Sequence, residues 1–226
     1  MDEQSQQHYS GGAGSALHVL AREFLSADDA ARYAHERVGH RRDSGYLGYI
    51  LQRSDLRFVI TEPAEHQVSI VSHHQVIPDN HVLHSRFYSH PALSTLDAGK
   101  VAQLKWSVED AATSLLIFSV HELHNILSAS YPAYLSGAED SLISFTPDSP
   151  HELKLLQMLG TDEKPEAFAK ALASGAVKPE QLVLELAAVG NLQVLISNGR
   201  RRPRGKITGE RLPGPWGATV PGGGSF

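Results

Sequence analysis

Histidine, serine and carboxylate residues recur in three short segments of this sequence. The segments are Arg42-Asp43-Ser-Gly-Tyr-Leu-Gly48, Phe87-Tyr-Ser-His-Pro91 and Phe118-Ser-Val-His-Glu122. Eight of the 13 histidines lie between His66 and His124, a range that includes two of these segments. Neutral imidazole is the commonest nitrogen ligand of metals and titrates near pH 7, so the local excess indicates a metal site or a proton-transfer site. A His-rich surface loop gives the same enrichment, and the order of the segments therefore carries the argument.

That order resembles the JAB/MPN metallopeptidase superfamily. In that family an acidic residue precedes a Gly-rich strand, a later strand ends in His-x-His-Pro, and Ser-x-x-Asp opens a helix. The chain is most similar to bacterial toxin-associated JAB-like domains of unknown function. It shares with them an Ala-rich first helix, a Gly-x-Leu strand with a Thr-x-Pro end, and a late hairpin of the form Tyr-Leu…Phe-Thr-Pro. The resemblance covers about residues 16–148.

The resemblance implies a zinc-dependent peptidase or isopeptidase. Asp43 takes the place of the glutamate that acts as general base, and Ser119 takes that of the serine in Ser-x-x-Asp; both are catalytic candidates. His90 is the implied zinc ligand from the strand, and the ligand carboxylate is either Asp97 or Glu122. Zinc hydrolysis requires three protein ligands and an open position for water, because the metal lowers the pKa of that water towards about 7.

One ligand position departs from the family pattern. Tyr88 stands where the first histidine of His-x-His is expected, and phenol, with an ordinary pKa of about 10, is a poorer zinc ligand than neutral imidazole. His84 is a candidate replacement, because alternation along a strand puts it on the same face as His90. Six residues of strand separate these two histidines by roughly 20 Å, so a shared metal requires a bend in the strand.

Local structure accounts for some of the same residues without a metal. The patterns Ser-x-x-Asp at 94–97 and Ser-x-x-Glu at 119–122 are both complete as helix caps. His90-Pro91 is equally typical of the end of a strand. The sequence contains neither a phosphate-binding Gly-x-x-x-x-Gly-Lys-Ser/Thr loop nor a Gly-x-Ser-x-Gly nucleophile turn.

Composition bounds the class of protein. The chain has 226 residues, no cysteine and a net charge of −5, which excludes disulfides and thiolate metal sites and suits one domain or two small ones. No apolar run approaches the roughly 18 residues that cross a bilayer, and the polar N-terminus predicts no signal peptide. We therefore expect a soluble protein, cytoplasmic or exported without a signal peptide. Six of the 20 basic residues lie from Arg200 onwards, so nucleic-acid binding is not favoured except through this tail.

Capping and turn signals predict the elements. A first helix runs from Ser26 to Gly39, and further helices open at three serines and continue after Pro150. The predicted strands are 45–51, 56–61, 82–89, 115–118, 134–136, 142–145 and 192–196, with one more at 68–71 in an irregular His-rich loop. In the region after Pro150, Pro165 and Pro179 are expected in first turns of helices, and Gly175 and Gly190 at helix ends.

The predicted architecture is α/β (α+β), a mixed central sheet flanked by helices and JAB/MPN-like. Its divisions are a disordered N-terminus (1–15), a JAB-like domain (16–148), a small helical extension packed on it (149–199), and a basic Pro/Gly-rich disordered tail (200–226). The function expected from the resemblance is a zinc peptidase or isopeptidase, or a degenerate derivative, in a bacterial toxin or effector system. The alternative is a non-catalytic protein-binding module on the same fold. Both imply a protein substrate or partner and no membrane.

Overall fold

Eight strands form one mixed sheet in the part of the chain that the structure describes. That part of this computed structural model comprises residues 17–65, 76–137, 140–147, 151–161, 164–196 and 205–206. The strands are β1 Tyr46–Arg53, β2 Phe58–Ile60, β3 Ala64–Glu65, β4 His81–Ser89, β5 Ala133–Gly137, β6 Ser141–Pro147, β7 Gly190–Ile196 and β8 Gly205–Lys206. They lie in the order β2-β1-β4-β5-β6-β7-β8, and β3 pairs with β1. The predicted mixed α/β class is confirmed.

Helices cover both faces of this sheet. They are α1 Ala27–Val38, α2 Ala98–Gln103, α3 Val108–Ser114, α4 Val120–Ala129, α5 His151–Leu159, α6 Ala167–Ala173 and α7 Pro179–Val189. One apolar cluster joins α1 to Ile50, Phe87 and Leu142 of the strands. A second, larger cluster joins α4, α5 and α7 to the strands on the opposite face, here called the α4 face. No helix within the described ranges has the length and hydropathy needed to span a bilayer.

The parallel pairing of β4 with β5 fixes the layout of one end of the sheet. These two strands run parallel with Tyr88 opposite Leu135 and Ser89 opposite Ser136, whereas the other pairs of described strands are antiparallel. Parallel neighbours need a crossover connection, and α2, α3 and α4 supply it. The chain therefore returns along α4, and the start of α4 lies beside the end of β4.

The first helix forms as its sequence predicts. The Ser26 hydroxyl accepts a hydrogen bond from the Asp29 N–H and caps α1, and Gly39 ends the helix with a φ of +50°. Ala30 and Ala34 are fully buried against the sheet. Small side chains on this face let the helix lie close to the strands.

The predicted strand at 115–118 is wrong, although its burial is correct. Leu116 and Phe118 are buried, but the segment is an irregular connection between α3 and α4. The N–H groups of Leu115 and Leu116 bond to the carbonyls of Ala112 and Thr113 at the end of α3. A short, continuous apolar run has no periodicity that distinguishes a strand from a buried loop.

Two predicted end signals act differently from expectation. Asp97 is itself the N-cap of α2, accepting hydrogen bonds from the N–H groups of Gly99 and Lys100, so the expected Ser94 cap does not form. Pro165 precedes the N-cap residue of α6. Gly190 is the C-cap of α7, as expected, and with its extended backbone it also begins β7. Pro179 does occupy the first turn of α7.

Residues 151–196 share the sheet and the core with the residues before them. β7 pairs with β6, and Leu155 of α5 and Leu186 of α7 belong to the same buried cluster as Phe118 and Leu135. The predicted disordered N-terminus and the predicted strand at 68–71 lie outside the described residues. So does the predicted tail, except for Gly205 and Lys206, which pair with β7.

Gly175 provides a test of the contact between the C-terminal helices and the crossover. Its φ is +74°, and a Cβ added there would lie 2.2 Å from the carbonyl oxygen of Leu104. We expect Gly175→Ala to lower the free energy of unfolding by about 3 kcal/mol or more, since backbone strain and a steric clash add. Urea denaturation measures it.

Gly39 is the matched control for this variant. Its φ is also positive, but an added Cβ would lie 3.0 Å from the nearest atom, the Glu36 carbonyl oxygen. Gly39→Ala should therefore cost only about 1 kcal/mol. Equal losses for the two variants would mean that the Leu104 contact contributes nothing.

Candidate functional site

His90 and Glu122 form a buried pair at the shared end of β4 and α4. His90 Nε2 lies 3.1 Å from Oε1 and 3.0 Å from Oε2 of Glu122. The other ring nitrogen, Nδ1, lies 3.2 Å from the carbonyl oxygen of Leu115. The side chains of His90 and Glu122 are only 12% and 9% exposed. Because both ring nitrogens face acceptors, the contacts favour a doubly protonated imidazolium.

Ser119 holds the Glu122 carboxylate in place through a capping box. The Ser119 N–H and hydroxyl both donate to Glu122 Oε2, at 2.7 and 2.9 Å, and the Glu122 N–H donates to the Ser119 hydroxyl at 3.2 Å. The helix start favours a negative charge as well. The cap and the pair with His90 thus use the same carboxylate. Residues 119–122 are therefore both a helix cap and part of the candidate site.

Charge and burial oppose each other at this pair. Burial disfavours the charged form of His90, but the Glu122 charge, its hydrogen bond and the Leu115 carbonyl outweigh burial and raise the pKa of His90. Burial likewise disfavours ionised Glu122, but His90 and Ser119 outweigh it and lower the pKa of Glu122. Near neutral pH we therefore treat the pair as an ion pair.

A second polar network lies on the α1 side of the same sheet end. Ser136 Oγ lies 2.7 Å from Nδ1 of His35, and His35 Nε2 lies 3.0 Å from Oδ1 of Asp140. Arg42 Nη2 donates to the Ser136 hydroxyl at 2.8 Å. Burial lowers the pKa of His35 despite Asp140. A neutral His35 then donates from Nε2 to Asp140 and accepts at Nδ1 from Ser136.

This arrangement has the hydrogen-bond order of a serine–histidine–aspartate triad, but the hydroxyl is covered. Ser136 is fully buried and His35 is 4% exposed, whereas the Asp140 side chain is 81% exposed. A nucleophile has to reach its substrate, so we assign this network a structural role.

The backbone of Ser136 joins the two networks. Its carbonyl oxygen accepts from the His90 N–H at 3.0 Å and from Arg42 Nη1 at 3.0 Å. Arg42 Nη1 also lies 3.4 Å from the His90 carbonyl oxygen. The arginine that precedes the proposed general base therefore ties the end of β4 to the end of β5.

Among the described residues, Asp43 and Asp97 form no hydrogen bond or ion pair with His90 or Glu122. The Asp43 carboxylate is exposed and accepts from the Tyr46 hydroxyl at 3.3 Å, and the Asp97 carboxylate caps α2. Of the two carboxylates that the resemblance offered as ligand, Glu122 is the one in contact with His90. A general-base role for Asp43 stays a prediction.

His84 lies on the opposite side of the sheet from this pair. The register of β1 and β4 shifts so that Ile50 pairs with Ser85 and Leu51 with Leu83, which leaves His84 without a partner residue. Its ring packs edge-on against Phe58, and Phe58 itself packs against the α1 cluster. The expectation that His84 shares a face with His90 is wrong, because the bulge interrupts the alternation of side chains.

Tyr88 fills the expected histidine position as a core residue. It is 3% exposed and packs edge-on against Phe118, with ring centroids 6.2 Å apart. Burial raises the pKa of Tyr88 to about 12, and its hydroxyl accepts a 3.4 Å bond from Arg86 Nη1. A phenolate is therefore strongly disfavoured at this position.

Two of the ligands that zinc would need are thus in place, and the third is not. Nδ1 of His90 donates to a carbonyl in the manner of many zinc-ligating histidines, and Glu122 faces Nε2. Tyr88 does not fit the remaining position because of its raised pKa. Among the described residues, no three histidine or carboxylate side chains gather as a metal site would require. Zinc binding stays a prediction.

Sequence reasoning missed the network on the α1 side. His35, Ser136 and Asp140 are separated by up to 105 positions, and neither α1 nor the β5–β6 connection carries a motif that marks them. The signal that existed was His35 on the apolar face of a predicted helix. Comparison with protein-family models, curated proteins and solved structures finds no match.

The raised pKa of His90 makes a prediction about pH. The His90 pKa lies above the unfolded value of about 6.5, so the stabilisation is fully present below pH 6.5 and is lost as pH rises through the folded value. We expect His90→Gln to lower the free energy of unfolding by about 3 kcal/mol near pH 6. The loss should shrink by pH 9. Urea denaturation across this range measures it.

His35→Gln is the control with the opposite sign. Its folded pKa is lowered, so the contribution of His35 is present above pH 6.5 and is lost as pH falls below it. The deficit of His35→Gln should therefore grow from pH 5.5 to pH 8. Two parallel pH profiles would contradict the assigned charge state of one of the histidines.

Proposed function

We propose that this chain is a degenerate JAB/MPN-like domain that acts as a non-catalytic protein-binding module, in a bacterial toxin or effector system as its resemblance implies. The observation that carries the proposal is the His90–Glu122 pair. The carboxylate is held by Ser119, and the imidazole is held by Leu115 and Glu122. The two residues that the resemblance assigns to a zinc centre thus satisfy each other's hydrogen bonds.

The substitution of a single ligand supports the loss of hydrolysis. A zinc peptidase needs a third ligand and an open position for water, and Tyr88 offers a buried phenol with a pKa of about 12. Without a metal, the opposite charges of His90 and Glu122 compensate each other. Both buried side chains at this end of the sheet therefore keep a partner in a domain that has no catalytic activity.

The zinc-dependent peptidase is the second candidate, and one observation favours it. The Nδ1 contact of His90 with the Leu115 carbonyl leaves Nε2 directed at Glu122. After loss of the Nε2 proton, His90 Nε2 and a carboxylate oxygen of Glu122 would be available as two ligands of one zinc ion. Hydrolysis would then require a third ligand from elsewhere in the chain, and the Asp43 carboxylate as base.

Zinc content and one substitution separate these candidates. We expect wild-type protein, purified without a His-tag and equilibrated with zinc, to contain far less than one zinc per chain by elemental analysis. Tyr88→His should raise zinc affinity at least about tenfold, because it restores a neutral nitrogen ligand beside His90. Calorimetric titration with zinc measures the affinity.

Tyr134→His is the matched control for this substitution. Tyr134 is also a buried tyrosine of the sheet, but its hydroxyl donates to Asp28 on the α1 side. It should lose stability without gaining zinc affinity. One zinc per wild-type chain that disappears in His90→Gln would refute the degenerate site and favour the peptidase.

An exposed apolar surface at the other end of the sheet supports the protein-binding part. Leu56 in the β1–β2 turn is 71% exposed and Val82 at the start of β4 is 62% exposed. The Ser54 N–H bonds to the Asn80 carbonyl, which holds these two segments together. Val76 and Ile77, in the segment that leads to β4, are also exposed. Clustered exposed apolar side chains are typical of protein interfaces.

Substitution of Val82 tests this surface. We expect Val82→Lys to keep the melting temperature within a few degrees of wild type. In cells that naturally produce this protein, the same variant should lose the cross-links between a protein partner and this end of the sheet. Val108→Lys, at a 77% exposed valine of α3, is the control and should keep the cross-links. Identical cross-links in both variants would show that the partner binds elsewhere.

A further inference from the structure

Arg86 is an arginine of the sheet without an acidic partner in the described residues. It lies on β4 between Tyr49 of β1 and Ala133 of β5. Its Nη1 donates to the Tyr88 hydroxyl at 3.4 Å, which places the guanidinium on the α4 face of the sheet. Its Nε is buried and has no hydrogen-bond partner. The residue as a whole is half-buried.

Three other arginines among the described residues have side-chain acceptors. Arg37 pairs with Glu62, Arg53 pairs with Glu23 and Asp55, and Arg42 donates to Ser136. A guanidinium is always charged and carries five N–H donors, and a buried donor without an acceptor is unfavourable. The single long bond to Tyr88 leaves Arg86 with unused donors.

Two tyrosine hydroxyls accompany this guanidinium. Tyr49 of β1 lies directly opposite Arg86 of β4, and the buried Tyr88 hydroxyl accepts from Arg86. A phenol has an ordinary pKa of about 10 and is a neutral donor at neutral pH. The Tyr49 hydroxyl makes no hydrogen bond to another described residue.

We propose that Arg86 and Tyr49, which are both half-buried, form a binding site for a carboxylate. The planar guanidinium matches a carboxylate with two parallel hydrogen bonds, and the Tyr49 hydroxyl is a neutral donor. One positive charge matches a monoanion better than a phosphate dianion. The site does not depend on zinc or on the exposed surface at Val82.

Thermal unfolding with propionate tests the site. Against sodium chloride of equal ionic strength, sodium propionate should raise the melting temperature of wild type by about 2–4 °C at about five times its dissociation constant. Arg86→Met should show no such rise. Without propionate this variant should unfold at the wild-type temperature or above it, because removing an unpartnered buried charge carries no penalty. Arg57→Gln, at an exposed arginine, is the control and should respond like wild type.

A second variant keeps the test decisive if Arg86→Met does not fold. Tyr49→Phe retains the ring and removes one donor, and it should weaken propionate binding several-fold in a calorimetric titration. Three results would overturn the proposal: an equal rise in Arg86→Met, no propionate binding to wild type, or stabilisation by phosphate with none by propionate. A lower melting temperature of Arg86→Met together with an unresponsive wild type would assign Arg86 a structural role.

Peptides distinguish the possible sources of the carboxylate. Acetylated trialanine with a free C-terminus, its C-terminal amide, and an amide with a central glutamate are titrated in parallel. Binding of the free acid alone identifies a chain terminus, and binding of the glutamate peptide identifies an acidic side chain. Binding of propionate without either peptide identifies a small organic acid.

Discussion

The parallel pairing of β4 with β5 is the constraint on which the site depends. Parallel neighbours bring their carboxyl ends to one edge of the sheet, and the crossover that joins them must return its last helix to that edge. His90 follows β4, Ser136 lies near the end of β5, and Ser119 starts α4, so all three meet there. The Ser136 carbonyl then binds the His90 N–H and Arg42 together. An antiparallel partner for β4 would have separated these groups by the length of the strand.

At this end of the sheet, each of the two buried histidines has nearby hydrogen-bond and charge partners. The Glu122 carboxylate meets His90 and the cap of α4, and neutral His35 lies between Ser136 and Asp140. Both arrangements satisfy the rule that buried polar groups need partners. They differ in the direction of the histidine pKa, because His90 faces a buried carboxylate and His35 faces one in solvent, next to Arg42. Arg86 departs from the rule, and that departure indicates a ligand.

Tyr88 and His90, which the resemblance places at the two histidine positions of one motif, differ in their surroundings. Position 88 faces the core, where a tyrosine ring packs on Phe118 and keeps its proton. Position 90 lies past the end of the strand, where a histidine still finds the carboxylate of the following helix. A change from histidine to tyrosine at the buried position removes a ligand and adds packing. In the proposed degenerate domain, this packing lets the fold form without a metal site.

The sequence by itself determined the local elements and one of the two polar networks. Ser26, Ser107 and Ser119 marked helix starts that the structure contains, because a capping side chain acts within three residues of itself. For His90 the resemblance offered two carboxylate partners, Asp97 and Glu122, and the structure pairs it with Glu122. Tertiary structure alone decided the rest. Residues 115–118 are a buried loop because the space between α3 and α4 requires one, and the bulge that displaces His84 depends on how β4 pairs with β1. His35, Ser136, Asp140 and Arg86 acquire their roles only through partners far away in sequence, and no local pattern records a contact of that kind.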